Sequence, residues 1–310
     1  MSSGERPALR LAPAPAPGPA ETVLGAVELL PGRVRAALLD LTGAVRWRAE
    51  AAYPAGTSDR GEIDAALAAA VRFPATPAGV GVAAAGLVDA SAGVIIEVNE
   101  VPALHGYPIV PVLAGLVGAA VHVEHRARLQ VLGDRWFGPG RGRSAFASVS
   151  TGEVLGVGLL HDGEVLAPPG GRSGAHMTVA ASGRRCTCGA RGCWKTVATT
   201  PWLRGEAHRR GLRGQTVREL AAAGDPLLDE YAANIALGLV NIQQLFAPGL
   251  FVLHGEAADG GERFRARIEQ RLREDSSWAT GARPPEVVVH PGPADDVALL
   301  GGAGLVLSRH

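Results

Sequence analysis

All three cysteines of this 310-residue chain fall within eight positions, Cys186-Thr-Cys188-Gly-Ala-Arg-Gly-Cys193, and His176 stands ten residues ahead of the first. Three thiolates and one imidazole make a closed tetrahedral donor set of the kind that structural zinc takes. Gly189 and Gly192 let the backbone fold back so that Cys188 and Cys193 can reach one ion together. Cysteine is also a small buried hydrophobe, so three unrelated thiols are one alternative and a disulfide is another. The odd number and the short spacings favour metal. With His176, Cys186, Cys188 and Cys193 as its ligands the ion keeps no open position for chemistry. The motif therefore predicts a knitted loop over 174–195 and bears on architecture before chemistry.

Thirty basic and thirty acidic side chains cancel, so no global field draws the chain to nucleic acid or to an anionic membrane. No apolar run approaches a bilayer span, and the first twenty residues lack the basic and apolar regions of a secretory signal. A cytoplasmic location without membrane association is the expectation. A hydrophobic content of 47% supplies core for two medium domains. The Pro/Ala alternation from Ala12 to Ala20 cannot pack a core, so residues 1–21 read as an extended, disordered tail.

Apolar runs from Thr22 and from Val34 to Leu39, interrupted at Pro31-Gly32, and a third at Val45 to Trp47 predict three strands linked by turns. Ser58 and Glu62 ahead of Ala65, Leu67 and Val71 predict a capped helix ended at Pro74. Strands at 79–84 and 94–98, a helix at 109–117, a strand at 120–123 and a helix from His125 to Phe137 follow. The second half repeats the plan, with strands at 144–150 and 155–161 before the cysteine excursion. Helices at 201–210, 217–223 and 227–246, a strand at 250–253, a helix at 261–273, a strand at 286–290 and a helix at 297–307 complete it. The order predicts an α/β chain of two similar lobes with a cleft between them, 22–138 completed by 296–310, and 139–295.

Taken with Gly174-Ala-His176-Met-Thr-Val, the cysteine motif resembles the signature of the ROK family, a group of sugar kinases and sugar-responsive repressors. Gly79-Val-Gly-Val-Ala-Ala-Ala-Gly86-Leu-Val-Asp89, Leu132-Gly-Asp-Arg-Trp-Phe-Gly138, Asn241-Ile-Gln-Gln-Leu-Phe-Ala-Pro248 and Ala298-Leu-Leu-Gly-Gly-Ala-Gly agree with it in order and spacing. The resemblance covers the chain from Thr22 onward and implies the two-lobed actin-like ATPase, ribonuclease H-like, fold.

The departures from the family pattern decide the functional expectation. Where family kinases carry an Asp-x-Gly-Gly-Thr phosphate turn, this chain has Glu28-Leu-Leu-Pro31-Gly32, with Leu29 and Leu30 expected to block the approach and Pro31 lacking a donor. Where the second phosphate loop reads Gly-Thr-Gly-Ile-Gly, the chain has Gly152-Glu153-Val154-Leu155-Gly156, with a carboxylate that repels phosphate. The family's Asn-Asp pair, whose aspartate is the general base, falls on His125 and Arg126. Arginine keeps its proton at physiological pH and cannot be that base; His125, or Glu124 after a one-residue shift, could accept one in principle. The glutamates that flank the zinc ligands in the family are Ser173 and Lys195 here.

The resemblance thus implies a catalytically inactive member, a pseudokinase-like regulatory or ligand-sensing module with structural zinc and no bound ATP-Mg. A homodimer is expected, with an anionic small molecule or a protein as partner. His125, Arg126, Ser173, His176 and Lys195 are the candidate ligand pocket, in which Arg126 and Lys195 could hold a carboxylate or phosphate. Family repressors place a winged helix-turn-helix ahead of this fold and about twenty residues precede it here, so direct DNA binding is not expected. The alternatives are an ATP-dependent, glucokinase-like sugar kinase with an altered site, and a ROK-type regulator that binds DNA through His208-Arg209-Arg210 and Arg213.

Overall fold

Pro31 and Gly32 close a tight hairpin, Gly32 at φ 86°, and thereby set the register of β1 (Leu24–Leu30) on β2 (Arg33–Leu39) as Leu30↔Arg33, Leu29↔Val34 and Glu28↔Arg35. The computed structural model describes residues 22–167, 174–276, 283–290 and 296–309; the expected tail at 1–21 lies outside them. β3 (Val45–Ala52) follows a turn in which the Asp40 carboxylate accepts from the amides of Thr42 and Ala44 at 2.8 and 3.0 Å. α1 (Arg60–Ala70) is capped by Asp59, which accepts from Gly61 N at 2.8 Å, one residue past the expected Ser58. β4 (Val80–Ala84), the short ribbon of β5 (Leu87–Asp89) and β6 (Val94–Glu97), α2 (Ile109–Val117), β7 (Val121–His125) and α3 (Arg126–Phe137) complete the first half.

The first sheet has the order β3-β2-β1-β4-β7, with β1, β4 and β7 parallel. Strand alternation puts Val27 and Leu29 on the face covered by Ile63 and Leu67 of α1 and Leu113 of α2. Leu24 and Ala26 face the other way, and so does Glu28.

The second half comprises β8 (Phe146–Thr151), β9 (Gly156–His161), β10 (Glu164–Val165), α4 (Thr200–Arg209), α5 (Val217–Ala223), α6 (Pro226–Phe246), β11 (Leu250–Gly255), α7 (Gly261–Asp275), β12 (Glu286–Val289) and α8 (Val297–Leu307). Its sheet runs β10-β9-β8-β11-β12. Val149, Phe251 and Leu253 pack under Trp194, Ile235, Leu239 and Phe264, while Phe146, Leu160 and Val252 meet Val131 of α3 on the opposite face. α8 returns to the first sheet: Leu299, Ala303 and Val306 pack on Leu24 and Ala26. The return needs two glycines, because a Cβ on Gly81 would lie 2.0 Å from the Gly302 carbonyl oxygen. β5 and β10 were not expected from the sequence, since two or three residues carry no readable period.

Candidate functional site

The cysteine loop is held by backbone before any metal enters. Val179 N donates to Gly192 O and Cys186 N to Ala190 O, each at 2.8 Å, and a bridge joins Thr178 to Cys193. These turns gather the donor atoms of His176, Cys186, Cys188 and Cys193 within 4.8 Å of one another. His176 Nδ1 lies 3.6 Å from Cys186 Sγ, and Cys188 Sγ lies 3.6 Å from Cys193 Sγ. Ligands about 2.3 Å from a tetrahedral ion stand about 3.8 Å apart, so the donor set fits a metal. All three thiols are free of disulfides. Burial and the neighbouring thiols push Cys193 up to about 12. At Cys186 desolvation acts upward too, but hydrogen bonds from the Cys188 amide and the surrounding thiols outweigh it and lower its pKa. The loop is anchored by the next residue: Trp194 is fully buried, and its Nε1 donates to Asn234 O at 2.9 Å.

The end of the first sheet at which α3 begins holds an ion-pair network. Glu28 is wholly buried on β1. Arg35 Nη1 donates to Glu28 Oε2 at 2.9 Å, and Arg126 Nε donates to Oε1 at 2.6 Å. Arg35 is the cross-strand neighbour of Glu28, whereas Arg126 opens α3, two strands away. Asp296, ahead of α8, takes both guanidinium nitrogens of Arg48 at 2.5 and 2.7 Å and lies 3.7 Å from Arg35. Of the two cations that sequence reading assigned to a ligand pocket, Arg126 therefore meets an internal carboxylate and offers an external anion little beyond what Glu28 already holds.

His125 caps α3, its Nδ1 accepting from Ala127 N at 3.2 Å. That contact places the proton of the neutral ring on Nε2. Desolvation, reinforced by Arg128 and Arg126, lowers its pKa to about 4. Glu124 is likewise engaged, accepting from His125 N at 2.6 Å and from Arg128 at 3.1 Å. His125 thus spends its lone pair on the helix cap, and Glu124 holds both of these donors on one oxygen, Oε1.

One expectation at the first turn is corrected. Leu29 points into the core beneath α1 and α2 and does not block the turn, because strand alternation sends it to the opposite face from Glu28. Leu30 is half-buried, and its carbonyl accepts from the Tyr53 hydroxyl.

At the second turn, Glu153 is exposed and paired in a fork with Arg204. Sequence reading missed Glu256, which follows β11: its side chain lies 3.2 Å from where a Cβ on Gly152 would stand, and its Oε2 accepts from Thr200 Oγ1 at 2.5 Å. Two carboxylates thus border this turn. Gly156 packs against the first turn of α3. Lys195 is half-buried and pairs with no described acid, while Ser173 lies outside the described residues.

One further expectation changes. Arg209 pairs with Glu206, and Arg210 with Glu206 and Glu230, so the cationic stretch at 208–213 is largely neutralised. His254 is buried with its Nε2 2.7 Å from Asp134 Oδ2, which also accepts from Ser148 Oγ and so ties α3 to β8 and β11. Among the described residues no helix is long and apolar enough to cross a membrane.

A sequence model described as the ROK family matches residues 25–309. A glucokinase of Thermotoga maritima is 26% identical over 256 residues, 74% of this chain and 79% of the relative. A xylose repressor of Bacillus spizizenii is 26% identical over 195 residues, 59% of this chain and 50% of that protein. Among solved structures, a ROK family glucokinase from Streptomyces griseus in complex with glucose and AMPPNP superposes with a TM-score of 0.76 at 24% identity, covering 92% of this chain and 99% of that one.

Proposed function

The chain belongs to the ROK family, and we propose that within it the protein is a non-catalytic member that serves as a regulatory or ligand-sensing module. The reading is carried by the buried Glu28 carboxylate clamped between Arg35 and Arg126. By the family resemblance, the general base of a working kinase belongs at position 126. Here that position is a cation whose charge is consumed by the residue standing where the first phosphate turn begins. At the second turn Glu256 adds negative charge beside Gly152, which opposes the approach of a nucleotide phosphate, while Glu153 there is held by Arg204.

We read the His176–Cys186–Cys188–Cys193 cluster as a structural zinc site. Bound there, the ion would cross-link the loop and hold its 174–176 turn against the Trp194 anchor, with no ligand position left for substrate. The alternative, a sugar kinase with an altered site, draws on the similarity to the Thermotoga maritima glucokinase across most of both chains. The test is ADP release and thermal stability of the purified protein with ATP-Mg across a panel of hexoses and amino sugars. The expected result is no ADP above background and no stabilisation by ATP-Mg. Sugar-dependent turnover would refute the reading.

A further inference from the structure

At the end of α3 remote from Arg126, about 14 Å along the helix, a surface cavity of about 480 Å³ is lined by Arg135, Trp136, Arg141, Arg143 and Ser144. We propose that this cavity binds a small phosphomonoester at a site separate from the interlobe cleft.

Three guanidinium groups converge on the cavity with little carboxylate to neutralise them. Among the described residues Arg135 donates only to the Gly163 carbonyl, Arg141 pairs with no acid, and Arg143 reaches Glu286 only at 3.7 Å. Other arginines are held tightly by acids, as Arg204 is by Glu153 and Arg210 is by Glu230 at 2.8 Å. The backbone holds two of the three in place. Arg141 N donates to Gly138 O at 3.2 Å and Arg143 N to Gly140 O at 3.1 Å, and Gly142 between them takes φ 75°. These successive turns leave the amides of Gly142 and Ser144 without a described acceptor, beside the guanidinium groups.

Trp136 supplies a flat surface at the rim. It is 38% exposed, and its Nε1 donates to Ser308 Oγ at 3.0 Å, which fixes the ring. A doubly charged phosphoryl group suits planar arginine forks and free amides better than a single carboxylate does. The ring can receive either a nucleobase or the apolar face of a sugar.

The test is calorimetric titration of the full chain at low salt with inorganic phosphate, ribose 5-phosphate and AMP, with ribose and adenosine as unphosphorylated controls. The phosphorylated ligands should bind and the controls should not. The double variant Arg141→Ala/Arg143→Ala, both exposed positions, should weaken binding about tenfold or more without changing the circular dichroism. Trp136→Phe and Trp136→Ala identify the natural source: selective loss of AMP marks a nucleotide, and equal loss of ribose 5-phosphate marks a sugar phosphate. Absence of binding by every phosphorylated ligand, or binding that the double variant leaves unchanged, overturns the proposal. Both results are independent of whether the cleft turns over ATP.

Discussion

Replacing Arg126 by alanine removes one of two cations from a carboxylate that has no access to water. Glu28 is fully buried, Arg126 approaches it to 2.6 Å and Arg35 to 2.9 Å, and the Arg126 side chain is 23% exposed. Two unit charges about 4 Å apart at an effective dielectric near 20 attract by about 4 kcal/mol. Arg35 remains and water enters the space, so the net loss should be about 2–4 kcal/mol, within the range for breaking a buried pair. For a protein of this size that lowers Tm by roughly 3–6 °C. Glu28→Gln alone should cost about 2–3 kcal/mol, because two guanidinium groups then face a neutral amide. In the double variant the two losses share one interaction, so they should fall short of additivity by at least about 1 kcal/mol. Urea titrations of the four proteins, followed by tryptophan fluorescence, measure the cycle. An Arg126→Ala variant within about 0.5 kcal/mol of the wild type, or strictly additive losses, would show that this end of the first sheet is not organised around this pair.

The remaining expectations concern the cap of α3, the metal loop and its anchor. His125 is depressed to about 4 by burial and then by Arg128 and Arg126, whereas the unfolded ring titrates near 6.5. Its contribution is therefore complete above about pH 6.5 and is lost as the pH falls toward 4, by about 3 kcal/mol in all. His125→Asn keeps a cap acceptor and should flatten that part of a pH–stability profile; an unchanged slope would place the titration elsewhere. The purified chain should carry one zinc by elemental analysis, and removal by a chelator, or Cys186→Ser, should cost more than about 3 kcal/mol; full occupancy in the serine variant would contradict the ligand set. At Gly238 a Cβ would lie 2.3 Å from the Trp194 ring. Gly238→Ala should thus lose about 2–4 kcal/mol despite alanine's better helix propensity, read as a lowered urea midpoint and a changed near-ultraviolet tryptophan band.

Several elements were legible because their signals are local. The helices at 217–223 and 297–307 match the apolar spacing, and the first hairpin follows from Pro31-Gly32. That hairpin also carried a signal that was available and unused. A two-residue turn at 31–32 pairs position 28 with position 35, so the Glu28–Arg35 contact was readable from register alone. The same alternation would have sent Leu29 into the core. Glu256 was harder to find, since it acts on the Gly152 turn only because β8 and β11 lie parallel with Gly255 opposite Thr151.

The metal cluster is a property of the chain's spacing: its four donors lie between positions 176 and 193, and short-range turns bring them together. The Glu28–Arg126 pairing is a property of the tertiary structure. Glu28 and Arg126 are 98 positions apart and meet because β1, β4 and β7 run parallel, so that α3 begins at the edge where β1 ends. Each taken alone is an ordinary charged residue that could face water. Only the packing of α3 and α8 over the first sheet excludes solvent from Glu28, and in that low-dielectric setting a buried carboxylate must hold its cations close.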